Sequence, residues 1–149
     1  MDETHVKPVN RYLKLRKRAN RLIAKRDHRK VRPVRDADQL DWSNLALRRE
    51  SRRLRRLIDR VRWDIRFQRA GITPAVQAHL ERIAICESHG NPRAIGGGGT
   101  FRGKYQFMRS TWASVGGTGD PAQAPEREQD YRAALLLRRS GSSPWPVCG

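Results

Sequence analysis

Long apolar runs are missing from this 149-residue chain. No stretch approaches the roughly 18 residues that cross a bilayer as a helix, which excludes a transmembrane helix. The opening residues, MDETHVKPVNRYLKLRKR, hold no apolar core of signal-peptide length, so no standard secretory signal is expected there. Acidic side chains are scarce, 15 against 32 Lys and Arg, and the formal net charge is +17. Hydrophobic residues make up 37%, below the roughly 45–50% of an ordinary globular chain, so one large uniform core is not expected. Neither zinc-finger spacing nor an aromatic-rich sheet signature occurs. Sequence-specific nucleic-acid binding is therefore not expected, while sequence-independent binding stays open.

The charge that is present is unevenly placed. Residues 1–70 hold 23 basic and 9 acidic side chains, whereas residues 71–149 hold 9 and 6. All 12 glycines and both cysteines fall in the second part. The joint is set near Ala70-Gly71-Ile72-Thr73-Pro74, giving a basic helical extension, 1–70, and a small domain, 71–149. A domain that small often needs a staple such as a disulfide.

Two helices are expected in the basic part, over about 10–30 and 43–69. In the first, Tyr12, Leu15, Ala19, Leu22 and Ile23 share a face at helical spacing. Pro33 breaks the chain within residues 31–38. Asp41 and Ser43 are both candidate N-caps for the second helix. There Leu47, Leu54, Leu57, Ile58, Val61 and Ile65 form a stripe among arginines. Leu47, Leu54 and Val61 are seven apart, a spacing that allows a short coiled coil. The extension reads as an electrostatic anchor for nucleic acid, an anionic membrane surface or an anionic cell-wall polymer. The alternative is a solvated helical hairpin whose arginines only keep it soluble.

The second part opens on Thr73-Pro74, an N-cap followed by proline at the first helical position. Val76, Leu80, Ile83 and Ala84 give that helix an apolar face. It should end near His89-Gly90, with Gly90 as a left-handed cap. Glu87 then lies in its last turn, facing the negative end of the helix dipole, and partial burial would raise its pKa further. A proton donor in glycoside cleavage needs such a pKa. Gly96 to Gly99 are expected in a mobile or tightly turned loop. Residues 100–102 and 104–107 read as extended pieces around Gly103. Ser110 is expected to cap a helix carrying a core Trp112, and Asp120 to cap a turn before Pro121. A last helix spans about 125–139, with Tyr131, Ala134, Leu135 and Arg138 on one face.

Gly98 to Lys104 fits the G-x-x-x-x-G-K part of a phosphate-binding loop. Tyr105 stands where Ser or Thr is needed and no buried strand precedes it, so nucleotide binding is set aside. Cys86 and Cys148 bracket the small domain. A bond between them would contribute roughly 4 kcal/mol in the chain-entropy account. Two reduced thiols are the alternative. A metal site from Cys86, His89 and a remote ligand lacks paired ligand spacing.

Residues from about 78 to 149 resemble the catalytic domain of resuscitation-promoting factors, transglycosylase-like relatives of lysozyme. IAICESHGN, FRGKYQF, STWASVGG, PEREQ and WPVC match in order. The resemblance implies an α+β fold, a helix-rich lysozyme-like domain with a small β-hairpin and a cleft for the glycan strand of peptidoglycan. It places the general acid at Glu87, the disulfide at Cys86 and Cys148, and Gln106 at the cleft floor. Phe101 and Tyr105 fall in the aromatic hairpin block, and Trp145 beside the cleft. His89, Pro92, Ser140 and Ser142 depart from the family's usual residues.

A hydrolase usually adds a second carboxylate. Glu81 points elsewhere on the same helix, Glu126, Glu128 and Asp130 look solvent-facing, and Asp120 is the one loop candidate. This favours a lytic transglycosylase mechanism with Glu87 alone; lysozyme-type hydrolysis stays open if Asp120, or a water held by Gln106, does the second job, and the other alternative is a non-catalytic glycan-binding module. No cofactor is expected. The site calls for an extracellular or cell-wall location by an export route the sequence does not show.

Overall fold

The computed structural model describes residues 3–27 and 43–149. The expected break over 31–38 and the Asp41 cap lie outside the described residues. The chain divides into two units, Met1–Arg66 and Phe67–Gly149, and each has its own buried cluster. No described helix is long and apolar enough to cross a membrane.

The first unit is built on α1 (Glu3–Asp27) and α2 (Asn44–Arg69, whose last turn enters the second unit). α1 starts earlier than expected and runs through Pro8, which removes one ladder hydrogen bond near its start. Burial of the apolar stripe outweighs that loss: Tyr12 and Ala19 pack with Leu47, Leu54 and Ile58, flanked by Val9, Leu15, Leu22 and Leu57. Ser43 caps α2, its Oγ accepting from Ala46 N at 3.3 Å. Lys7 and Arg11, early in α1, share a groove with Arg48, Arg52 and Arg55, early in α2. Arg26, late in α1, bonds Asp64, late in α2, at 3.2 Å. The two helices therefore run in the same direction and do not form a hairpin. Leu47, Leu54 and Val61, the seven-residue repeat, are all buried.

In the second unit α3 (Pro74–Ser88) begins as the sequence indicates, with Thr73 Oγ1 accepting from Val76 N at 3.3 Å. It ends one residue earlier than a glycine cap would place it, because His89 itself takes the left-handed conformation at φ 54°. The hairpin pairs β1 (Ile95–Gly96) with β2 (Phe101–Arg102) in antiparallel register, Ile95 opposite Arg102 and Gly96 opposite Phe101. Gly97–Gly99 form a 3-10 turn between them. Of the extended pieces expected around Gly103, the first is β2, and the second reduces to one bridge, Arg102 to Phe107. α4 (Arg109–Ser114) is entered from Met108 and not capped by Ser110. α5 (Glu126–Ser140) buries Gln129, Ala133, Ala134 and Leu136; of the expected stripe Ala134 is buried, and Tyr131 and Leu135 pack at the edge of the core.

The core of this unit joins Leu80, Ile83 and Ala84 of α3, Ala133, Ala134 and Leu136 of α5, and the aromatic residues Tyr105, Phe107, Trp112 and Trp145. Phe107 meets Trp112 edge to face at 5.2 Å between ring centroids, a favoured geometry for such pairs. Phe67, in the last turn of α2, packs on Tyr131 in the same way at 5.7 Å. This is the helix-rich α+β architecture with a small hairpin that the resemblance implied.

Cys86 and Cys148 are joined in a disulfide spanning 62 positions. Losing a crosslink of that span costs about 4 kcal/mol in the chain-entropy account. In a unit of this size that corresponds to a fall in Tm of roughly 15 °C or more. Calorimetry of Cys148→Ser in the full chain measures it, and an unchanged Tm would show that the staple contributes nothing.

Candidate functional site

Glu87 sits half-buried in the last turn of α3. Both of its neighbours in the chain are tied down. Cys86 is bonded to Cys148 in the tail. Ser88 Oγ donates to Lys104 O at 2.7 Å, with Ala84 O at 3.2 Å as a second acceptor. The position of Glu87 is thus set by a covalent crosslink on one side and a hydrogen bond to the Gly103–Phe107 turn on the other. Burial raises the pKa of its carboxyl above the usual range.

Residues 71–149 contain six carboxylate side chains, and their partners separate them sharply. Glu81 and Glu126 each lie 2.9 Å from Lys104 Nζ, and Asp130 lies 3.1 Å from it. Glu128 pairs with Arg132 at 2.6 Å. Asp120 is held by Arg102 through two hydrogen bonds, by Arg109 at 3.2 Å and by Ala122 N at 3.0 Å. The hydrogen bond from Arg102 is the main cause that holds the Asp120 carboxyl down at about 2. Glu87 alone has no cationic partner among the described residues.

Asp120 is the only expected second carboxylate, and its oxygens are occupied by two guanidinium groups and a backbone N–H. It clamps β2 to the Pro121–Gln123 turn. Glu126 stays exposed as expected while pairing with Lys104, whereas Asp130, also expected to face solvent, is turned toward Lys104 and largely covered. Asp130 also accepts from Tyr105 OH at 2.8 Å. Lys104, which the sequence shows only as the lysine of the discarded phosphate-loop pattern, is 4% exposed. Burial alone would push its pKa down, but hydrogen bonds to Glu126, Glu81 and Asp130 together raise it. Gln129 was missed as well. It is wholly buried, accepts from Lys104 N at 2.7 Å, and donates to Pro92 O and Ala124 O, both at 3.0 Å. A signal for this cage was present, since Glu126 and Asp130 are four apart and share a helix face.

The aromatic candidates separate into surface and core. Phe101 on β2 is 40% exposed, whereas Tyr105 and Trp145 are 2% and 4% exposed. Trp145 Nε1 donates to Tyr105 O at 3.0 Å, so the tail supports the turn from behind. Gln106 is half-buried and sits at φ 49°, and with His89 it makes up the non-glycine residues of positive φ among those described. Left-handed backbone at such residues is strained and clusters at functional sites. Gln106 Nε2 donates to Gly103 O at 2.9 Å, which fixes the amide. Gly96 is where Gln106 and Phe101 meet: a Cβ there would collide with Gln106 Oε1 and lie 3.8 Å from Phe101 Cβ. The arrangement sets a half-buried carboxyl of raised pKa, without a cationic partner among the described residues, on one pinned helix end. A fixed amide and an exposed aromatic ring lie on the hairpin and turn.

Residues 74–148 match the transglycosylase-like domain family. The chain is 43% identical over 79 residues to the probable transglycosylase SceD of Staphylococcus haemolyticus, a match covering 50% of this chain and 34% of that protein. It is 42% identical over 69 residues to the resuscitation-promoting factor RpfC of Mycobacterium tuberculosis, covering 46% of this chain and 49% of that protein. The SceD protein of Staphylococcus aureus is 42% identical over 79 residues, with 50% and 34% covered. The chain spans half or less of the length of these curated relatives.

Proposed function

The chain belongs to the transglycosylase-like domain family, and from that premise we propose that it cleaves the β-1,4 bond between N-acetylmuramic acid and N-acetylglucosamine in peptidoglycan. The observation that carries the reading is the isolation of Glu87. It is the one carboxyl of the second unit without a cation beside it, and burial favours its protonated form. Such a group is a general acid at the pH where its neighbours are ionised.

The chemistry then needs one carboxyl used twice. Protonated Glu87 gives its proton to the bridging oxygen, and the bond from that oxygen to the muramic C1 breaks. The electron-poor C1 is met by the C6 hydroxyl of the same sugar. Glu87, now a carboxylate, takes the hydroxyl proton as the 1,6-anhydro ring closes. No water is consumed, and no second carboxylate is required. Asp120, engaged by Arg102 and Arg109, serves the scaffold in this reading. Gln106 Oε1 offers an acceptor to a sugar hydroxyl or amide, and the exposed ring of Phe101 offers a face to a pyranose. Tyr105 and Trp145 act from behind, by holding the turn. The substrate places the protein outside the cell or in the wall, an oxidising setting in which a disulfide persists.

Purified peptidoglycan incubated with the wild type, and its soluble fragments read by mass spectrometry, tests the reading. Anhydro-muropeptides are expected. Hydrated reducing ends would replace the ring closure by hydrolysis, and no fragments at all would leave a non-catalytic glycan-binding module.

Gly96→Ala isolates the role of Gln106. Gly96 has φ −120°, which alanine tolerates, so the effect comes from the Cβ against Gln106 Oε1. Displacing a positioning group by about an ångström lowers kcat/KM by roughly 10- to 100-fold. Gly98→Ala is the control: its φ of 64° costs about 1 kcal/mol of strain, but nothing lies within 4 Å of the new Cβ. Its activity should stay within about twofold once its lower stability is allowed for. Equal losses in both would remove Gln106 from the site.

A further inference from the structure

The basic unit carries a feature that wall cleavage does not use. A groove of about 500 Å³ runs between α1 and α2 and is lined by Lys7, Arg11, Arg48, Arg52 and Arg55. Pro8, Ser51 and the buried Leu47 complete its lining. Elsewhere in the unit Arg26 pairs with Asp27 and Asp64, and Arg53 with Glu50. The five groove cations are exposed and none has an anionic partner among the described residues. Five like charges facing one recess repel one another, and an anion in the recess relieves all of them at once.

We infer that this groove binds a linear polyol-phosphate chain, a phosphodiester polymer without bases. Four of the five cations are arginines, whose guanidinium forks fit phosphate oxygens two at a time. Arg48 and Arg55 are separated by about 10 Å of helix, so successive phosphates along one chain can be engaged. No aromatic side chain lines the recess, which removes the stacking platform that single-stranded nucleic acids use. The cations line a recess between two helices, whereas a bilayer surface presents its charge as a plane. The inference rests on the wall-directed reading only for where such a polymer would be met.

The test uses the full chain and a fluorescent glycerol-phosphate oligomer, with oligo-dT of equal charge and phosphatidylglycerol vesicles as comparators. Anisotropy at physiological salt reads binding. Arg48→Gln/Arg52→Gln should weaken oligomer binding by about tenfold or more and reduce the log–log salt slope by about 1.4, as two lost phosphate contacts require. Arg49→Gln/Arg56→Gln removes the same charge from exposed positions of the same helix outside the groove. It should change binding by less than about threefold on the same salt-dependent scale. Equal loss in both pairs overturns the groove in favour of diffuse attraction. Tighter binding of oligo-dT or of vesicles overturns the polyol-phosphate assignment. A wild type that cuts peptidoglycan but ignores the oligomer overturns the groove alone. One that binds the oligomer through the groove and cuts nothing supports it and overturns the enzymatic reading.

Discussion

Glu87→Gln is expected to release soluble peptidoglycan fragments at least about 10³ times more slowly than the wild type, because it removes both the proton donor and the later base. Its fold should be intact. No hydrogen bond or ion pair to the Glu87 carboxyl exists among the described residues to be lost, and burial already disfavours its charge. The two effects have opposite signs and can be separated. The folded protein holds Glu87 at a raised pKa, so the stability linked to its protonated form is present at low pH and is lost as pH rises through that pKa. Glutamine lacks that loss. The variant's Tm relative to wild type should therefore increase with pH while its activity stays near zero. Activity of the wild type should follow the protonated fraction and fall on the alkaline side at a pH above an ordinary glutamate's. A wild type whose activity falls through the ordinary glutamate range, or a variant retaining a tenth of wild-type turnover, would remove Glu87 as the acid.

That Glu87 could be singled out in the sequence reflects where it sits. Thr73-Pro74 opens a helix and His89-Gly90 ends it, so Glu87 falls in the last turn by counting, and the family resemblance supplies its role. The same local signals locate Ser43 and the Leu47–Leu54–Val61 stripe, since each is read within a few residues of chain. The direction of α1 against α2 is a different kind of fact. Helical periodicity says which face is buried and nothing about which end meets which, and only contacts such as Arg26 with Asp64 decide it. Strand β1 is hidden from the sequence for a related reason: four consecutive glycines carry no side-chain alternation, and the pairing of Gly96 with Phe101 spans them. On α5 the apolar residues suggested one stripe, but Gln129 is buried because Lys104 N, Pro92 O and Ala124 O converge on it from elsewhere in the chain. A polar residue is drawn inward by partners that periodicity does not contain.

Lys104→Met is the second large expected effect, and it tests how the site is held. Lys104 is buried, and its ammonium is shared by Glu81, Glu126 and Asp130. Glu81 and Glu126 are more than half exposed and can turn to water, but Asp130 is not free to do so. Removing one partner of a buried pair leaves the other charge uncompensated, at a cost of about 3–5 kcal/mol. Burial already raises the pKa of Asp130, and Lys104 is among the groups that oppose that rise. Without the lysine the folded state holds the proton of Asp130 more tightly still. The deficit should thus be full at neutral pH and shrink as pH falls through the raised pKa, when Asp130 becomes neutral. Urea unfolding of both proteins at neutral and at mildly acid pH measures this directly. A second change, Asp130→Asn in the Lys104→Met background, should recover part of the loss at neutral pH, since it removes the stranded charge while keeping an acceptor for Tyr105 OH. Activity should fall along with stability, because the Lys104 carbonyl is what Ser88 grips beside Glu87. A Lys104→Met protein equally destabilised at every pH, and not improved by Asp130→Asn, would mean the lysine acts through packing of its chain and not through the three carboxylates.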